Sequence, residues 1–126
     1  MGKAQSRQIR GCRATGMREA ALLLLLHREP AHGYTLLEQL KEFGLREISS
    51  SVIYRALRDM EARGWVASMW DEEQTQGPPR RVYCITNLGG QVLALWVQDL
   101  EESRKRIDYL LRAYDRHVEK RKNGHH

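Results

Sequence analysis

The chain has 126 residues, with 21 lysines plus arginines against 16 aspartates plus glutamates, and carries a formal net charge of +5. A composition 41% hydrophobic and 29% charged supports a core of ordinary size without metal or disulfide staples, which excludes a disordered chain and predicts one folded unit. The longest apolar stretch, Ala20 to Leu26, is far short of the roughly 20 residues that span a bilayer, so no membrane partner and no secretory signal are expected, and the cytoplasm is the expected location.

Residues 1–16 carry Lys3, Arg7, Arg10 and Arg13 and no acid, too little apolar surface to pack, and read as a flexible basic arm. From Met17 the sequence turns to Ala20, Ala21 and the run Leu22 to Leu26, strong helix formers that end before Pro30; they predict a first helix buried on most sides. His32-Gly33 opens a second, short amphipathic helix, with Tyr34, Leu37 and Leu40 recurring at spacing three, Leu36 and Leu40 at four, and Gly44 as its stop. Ser49, Ser50 and Ser51 offer N-caps for a third helix that runs to Gly64. On it Ile53, Leu57 and Met60 fall within about 60° of one another, with Ser51, Tyr54, Arg55 and Arg58 opposite.

Alternation predicts a strand over Trp65 to Trp70, with Trp65, Ala67 and Met69 on one side and Val66, Ser68 and Trp70 on the other. A second strand is predicted over Arg81 to Ile85. Between them Gly77, Pro78 and Pro79 break any ladder, so the two strands form a hairpin with a long, mobile tip. Thr86 is an N-cap for one long helix to about Val118. Along it Leu93, Leu100, Ile107 and Tyr114 repeat every seven residues, Val97, Leu111 and Val118 fill the same seam, and Arg104 interrupts it. A single helix cannot cover such a stripe, so a second copy of the chain is the expected partner.

The predicted fold class is therefore mainly α: three helices and a two-stranded β-wing in a winged helix-turn-helix, followed by one long C-terminal dimerisation helix. The expected divisions are the arm over 1–16, the DNA-binding domain over 17–86, the dimerisation helix over 87–120, and a disordered tail over 121–126. That tail ends Asn123-Gly124-His125-His126, like a truncated purification tag, and its histidines are left out of any metal argument.

Four motifs, in order, resemble the PadR family of bacterial transcriptional regulators over roughly residues 17–118. His32-Gly33-Tyr34 is similar to the family's H-G-Y; Ile53-Tyr54, Leu57, Glu61 and Gly64 to its L-Y-x-x-L-x-x-x-E-x-x-G; Gly77-Pro78-Pro79-Arg80-Arg81-Val82-Tyr83 to its returning hairpin; and Thr86-Asn87-Leu88-Gly89 to its closing T-x-x-G. Many members have G-T before L-Y and a proline after it, where this chain has Ser51-Val52 and Arg55. The single tail helix looks like the smaller-tailed branch. The resemblance implies a transcription regulator that binds double-stranded DNA, a DNA contact for Tyr54, and, as in some relatives, a dimer pocket for a flat aromatic drug or phenolic acid, for which Trp96 is the candidate ligand residue.

The residues supply candidates of their own. Arg55 and Arg58 suit bidentate pairing with guanine in a major groove, Ser50 and Ser51 lie near the helix start where hydroxyls bond phosphate, and Tyr54 offers a further hydroxyl. Arg80 and Arg81 follow a stiff tip that holds charge outward, with Asp71, Glu72 and Glu73 opposing it and a plain solvated loop as the alternative. Arg13 and its neighbours in the arm can engage phosphate or merely aid solubility. His32 either caps the second helix or touches phosphate; His27 and His32 lack a third ligand, so no metal is expected.

The dimer-interface candidates are Leu93, Trp96, Val97, Leu100, Ile107, Leu110, Leu111, Tyr114 and Val118. Cys12 and Cys84 read as inert thiols. No nucleophile elbow, zinc-protease motif or P-loop is present, so neither an enzyme nor a cofactor is expected. The leading expectation is a homodimeric repressor that reads a palindromic operator with the third helix over 49–63 in the major groove; a protein-interaction adaptor and a drug-sensing repressor are the alternatives.

Overall fold

The protein is described by a computed structural model covering residues 16–71 and 80–123. Among these the order is α1 (Gly16–Arg28), β1 (Ala31–His32), α2 (Gly33–Leu40) with a 3-10 turn over Lys41–Phe43, α3 (Ser50–Ala62), β2 (Val66–Trp70), β3 (Arg81–Ile85) and α4 (Asn87–Asn123). The basic arm and the tip of the hairpin, residues 1–15 and 72–79, lie outside the described residues, as do residues 124–126. No described helix is long and apolar enough to cross a membrane.

α1 is wrapped by its neighbours because almost its whole surface is apolar. Ala20, Ala21, Leu22, Leu23, Leu25 and Leu26 are buried, and of the leucine run only Leu24 faces out. The helix packs on α2, β3 and α4, and each fully buried leucine contributes about 1.5–3 kcal/mol relative to an exposed one. α2 adds Leu36 and Leu40, and α3 adds Ile53, Ala56, Leu57 and Met60, the face predicted from spacing. Ser49 caps α3 by accepting the Val52 N–H on its Oγ at 3.4 Å. The stops at Gly44 and Gly64 are left-handed, with φ of 79° and 81°.

Two features depart from the sequence expectation. The sheet has three strands in the order β1-β3-β2, not two, because Ala31 and His32 pair antiparallel with Tyr83 and Val82 on the free edge of β3. A two-residue strand has no periodicity to read. α4 also continues through Asn123, so residues 121–123 are helix rather than tail; Lys120, Arg121 and Lys122 favour the negative end of the helix dipole, and no breaker occurs before Gly124.

The start of α4 is fixed by a tight corner. Thr86 shares its hydroxyl proton between the Gly64 and Trp65 carbonyls at 2.6 and 3.0 Å, and its Oγ1 caps the helix by accepting the Gly89 N–H at 3.0 Å. The first turns then bury Val92, Leu93 and Trp96, with Leu100 partly covered, against the rest of the chain.

Candidate nucleic-acid interface

α3 presents one face to the core and the other to solvent, so its polar residues form a stripe. Ser51, Tyr54, Arg55 and Arg58 are exposed along that stripe, with Ser50 exposed at its start. Among the described residues neither Arg55 nor Arg58 forms an ion pair; Arg63, one turn beyond, is held by Asp59 at 2.9 Å and lies over the Trp65 ring. Two guanidiniums thus stand on a capped, core-anchored helix with their donors directed to solvent. The Ser51 hydroxyl shares a hydrogen bond of 3.0 Å with Ser49.

Tyr54 leaves the stripe at the α2 side. A Cβ built on Gly33 would lie 2.5 Å from Tyr54 Cε1, so the ring rests on bare backbone at the start of α2, and glycine is what permits it. Tyr54 as a whole remains 40% exposed. His32 sits at the N-cap position of α2 but makes no side-chain cap. Its Nε2 instead meets Asp71 Oδ2 at 2.9 Å, tying β1 to the base of the wing. That base is closed by the Asp71 N–H donating to the Arg80 carbonyl at 2.8 Å.

The wing is coupled to α3 through side chains. Arg81 Nη1 donates to Ser68 Oγ at 2.9 Å, and the Ser68 hydroxyl donates to Glu61 Oε2 at 2.7 Å. The Arg81 guanidinium also stacks over Trp70, 4.6 Å from its centroid. Trp70 and Arg81 are cross-strand partners, so the stack follows from register. Arg81 is a cation of fixed position, whereas Arg80 is exposed with no ion pair among the described residues. Beneath them Tyr83 is buried; desolvation first, then the Glu61 charge, raises its phenol above the ordinary 10.0.

Along α4 the predicted seam divides in two. Leu93 and Trp96 are buried within the protomer, Trp96 at 3% exposure and edge-on to Trp65 at 5.3 Å. Its Nε1 is buried without a hydrogen-bond partner among the described residues. The indole is therefore enclosed by its own chain and presents no open stacking face. Val97 and, beyond Leu100, the rest of the stripe have no cover: Ile107, Leu110, Leu111, Tyr114 and Val118 are exposed as Val97 is, Ile107 by 56%. Arg13 lies outside the described residues. Among the described residues no cluster of His, Cys, Asp or Glu has the makings of a metal site.

Sequence reading missed Tyr34 and Trp70 as neighbours of this surface, and it placed Asp71 at the wing without foreseeing its bond to His32. Spacing placed Tyr34 on the packing face of α2, but it is 61% exposed. The buried side of that helix is centred on Leu36 and Leu40, and Tyr34 lies about 160° and about 120° from them around the axis. Trp70 was visible as an aromatic at a strand end, with no signal that Arg81 would lie upon it.

Comparison with known proteins supplies an independent line. The model of the transcriptional regulator PadR-like family matches residues 22–95. The structure is similar to that of a PadR-like transcription factor from Bacteroides fragilis, with 30% identity, a TM-score of 0.65, and 86% of this chain and 96% of that one covered. It is also similar to a PadR-like transcriptional regulator from Bacillus cereus, with 26% identity, a TM-score of 0.69, and coverages of 77% and 93%. A PadR family regulator from Clostridium difficile, 24% identical over 75% of this chain and 97% of that one, shares the fold with a TM-score of 0.67. No curated protein sequence matches.

Proposed function

From the premise that the chain belongs to the PadR-like family of transcriptional regulators, DNA-binding winged-helix proteins rather than enzymes, we propose that it is a cytoplasmic, homodimeric repressor of a two-fold symmetric operator. The observation that carries the reading is the exposed stripe of Arg55 and Arg58, without an ion pair among the described residues, on a helix whose other face is locked in the core. A helix so anchored can enter a major groove, where Arg pairs with guanine O6 and N7. Ser50, Ser51 and Tyr54 add hydroxyls for the flanking phosphates, Arg80 and Arg81 serve from the wing, and Arg13 from the arm.

The dimer rests on the uncovered part of the α4 stripe from Val97 to Val118, which continues in register from the part already packed. Two copies joined there would carry two α3 helices, and the half-sites proposed for them lie about one helical turn apart, the spacing general to dimeric helix-turn-helix proteins. Occupation of promoter DNA would repress; a small aromatic effector would act by shifting the angle between the two wings.

The test is selection of bound sequences from random and genomic duplexes at about 150 mM salt, where phosphate contacts alone hold weakly. A symmetric site is expected for the wild type. Arg55→Ala and Arg58→Ala should each relax preference at one base pair per half-site, by about 1–3 kcal/mol. Binding without sequence preference in the wild type would refute the operator reading and favour an adaptor.

A further inference from the structure

A cleft of about 700 Å³ opens between α2, α3 and the wing. Tyr34 lines it from α2, Tyr54 from α3, and Trp70, Arg80, Arg81 and Tyr83 from the sheet and wing; none of the described lining residues is acidic, and Asp71, behind His32 on the wall, is bonded to that imidazole at 2.9 Å. Trp70 is 55% exposed, and a large exposed indole is uncommon on a surface that serves nothing.

We propose that this cleft seats one sugar–phosphate strand of the DNA, held there by Tyr34 and Trp70 through neutral contacts that add affinity without reading sequence. The inference rests on the DNA-binding reading above. With α3 in the major groove and the wing reaching toward the adjacent minor groove, the strand that separates the two grooves has to pass between them. The cleft is the space between them. Its charge suits the strand: Arg80 projects from one rim, and Arg81 is held by Ser68 and by the Trp70 stack, so its cation is in place before DNA arrives. Tyr34 offers a phenolic hydroxyl to a phosphate oxygen, and Trp70 offers an apolar edge to a deoxyribose and an indole N–H to the backbone. Neither contact releases a counterion.

That last property distinguishes the seat from an ordinary basic patch. Affinities of Tyr34→Ala, Trp70→Ala and Arg81→Ala are compared across a salt series on the selected operator and on an unrelated duplex of equal length. Tyr34→Ala and Trp70→Ala should weaken both duplexes by the same factor, about three- to thirtyfold, with the slope of log K against log salt unchanged, whereas Arg81→Ala should reduce the slope by about one. Both aromatics are exposed, so an unchanged urea midpoint will show that the fold is intact. A second readout is direct. Trp65 and Trp96 are buried, so acrylamide-quenchable emission reports Trp70, and saturating DNA should shield it.

Wild-type affinity in both aromatic variants, or a Trp70 that stays quenchable in the saturated complex, would overturn the seat while leaving DNA binding intact. A changed sequence preference would make these residues base readers and overturn it too. Shielding of Trp70 that grows with protein concentration in the absence of DNA would assign the cleft to a second copy of the chain. A wild type that binds neither duplex would instead refute the reading on which the proposal depends.

Discussion

Gly89 and Gly90 are consecutive in the first turn of one helix, yet replacing Gly89 with alanine should destabilise the fold and replacing Gly90 should not. A Cβ on Gly89 would stand 2.0 Å from the Trp65 carbonyl oxygen and 2.8 Å from Ile85 Cγ1, where ordinary contact begins near 3.4 Å. The corner and the helix must therefore part by about 1.4 Å, the difference between those contact distances. Trp65 O accepts the Thr86 N–H at 3.0 Å, and the Thr86 hydroxyl reaches Gly64 O at 2.6 Å. Losing these two bonds costs about 1 kcal/mol each, and overpacking adds about 1–3 kcal/mol. Against this, alanine recovers up to about 1 kcal/mol of helix preference. Gly89→Ala should thus destabilise by about 2–4 kcal/mol by that sum. Gly90 has nothing within 4 Å of its Cβ position, so Gly90→Ala should be neutral or stabilise by up to about 1 kcal/mol. Urea unfolding followed by circular dichroism, at one fixed protein concentration because association shifts the midpoint, measures both. A Gly89→Ala protein as stable as wild type, or two variants that fall together, would refute the close-approach argument.

Three further outcomes are expected. Leu100→Asp with Ile107→Asp should yield monomers in light scattering and lose operator binding, and Ile107→Asp with Leu111→Asp should do the same without touching the protomer's core; a dimer surviving either pair would remove the α4 stripe as the interface. Gly33→Ala should cost less than about 1 kcal/mol of stability, since the obstructing Tyr54 ring is free to swing outward, yet should weaken DNA binding as much as Tyr54→Ala does; unchanged affinity would show that the position of the ring is immaterial. Tyr83 ionises at a higher pH in the folded chain than in the unfolded one. Its contribution is thus complete below pH 10.0 and declines as pH climbs from there through the folded value. The urea midpoint of wild type relative to Tyr83→Phe should therefore be constant near neutrality and fall above about pH 10; a difference that stays flat would contradict burial of the phenol.

What could be read in the chain follows from how local each signal is. α3 was legible because Ile53, Leu57 and Met60 alternate with Arg55 and Arg58 within one helix, and Ser49 marks its start. The family resemblance rested on motifs equally local. Partners distant in sequence were not legible. β1 exists only because Ala31 and His32 meet Val82 and Tyr83 across the sheet, and the His32–Asp71 contact spans 39 positions. Periodicity placed Trp96 on the correct stripe of α4 but carried no information on what would cover it; the answer, Trp65, belongs to the corner before β2. Tyr34 shows the opposite limit, since in an eight-residue helix spacing three fits more than one face.

The burial of Trp96 also has a mechanical meaning. With its indole set against Trp65 and Leu100 partly covered, the root of α4 is cemented into the same body as the wing, while the helix beyond Leu100 projects freely for about 35 Å at 1.5 Å per residue. Such a rod is a lever with a rigid hub. A tilt of about 5° at the hub carries the far end through about 3 Å, more than half a helical turn of rise. A grip on the outer end therefore has strong leverage over the orientation of α3, and small adjustments at the Trp65–Trp96 joint are magnified where two rods would meet.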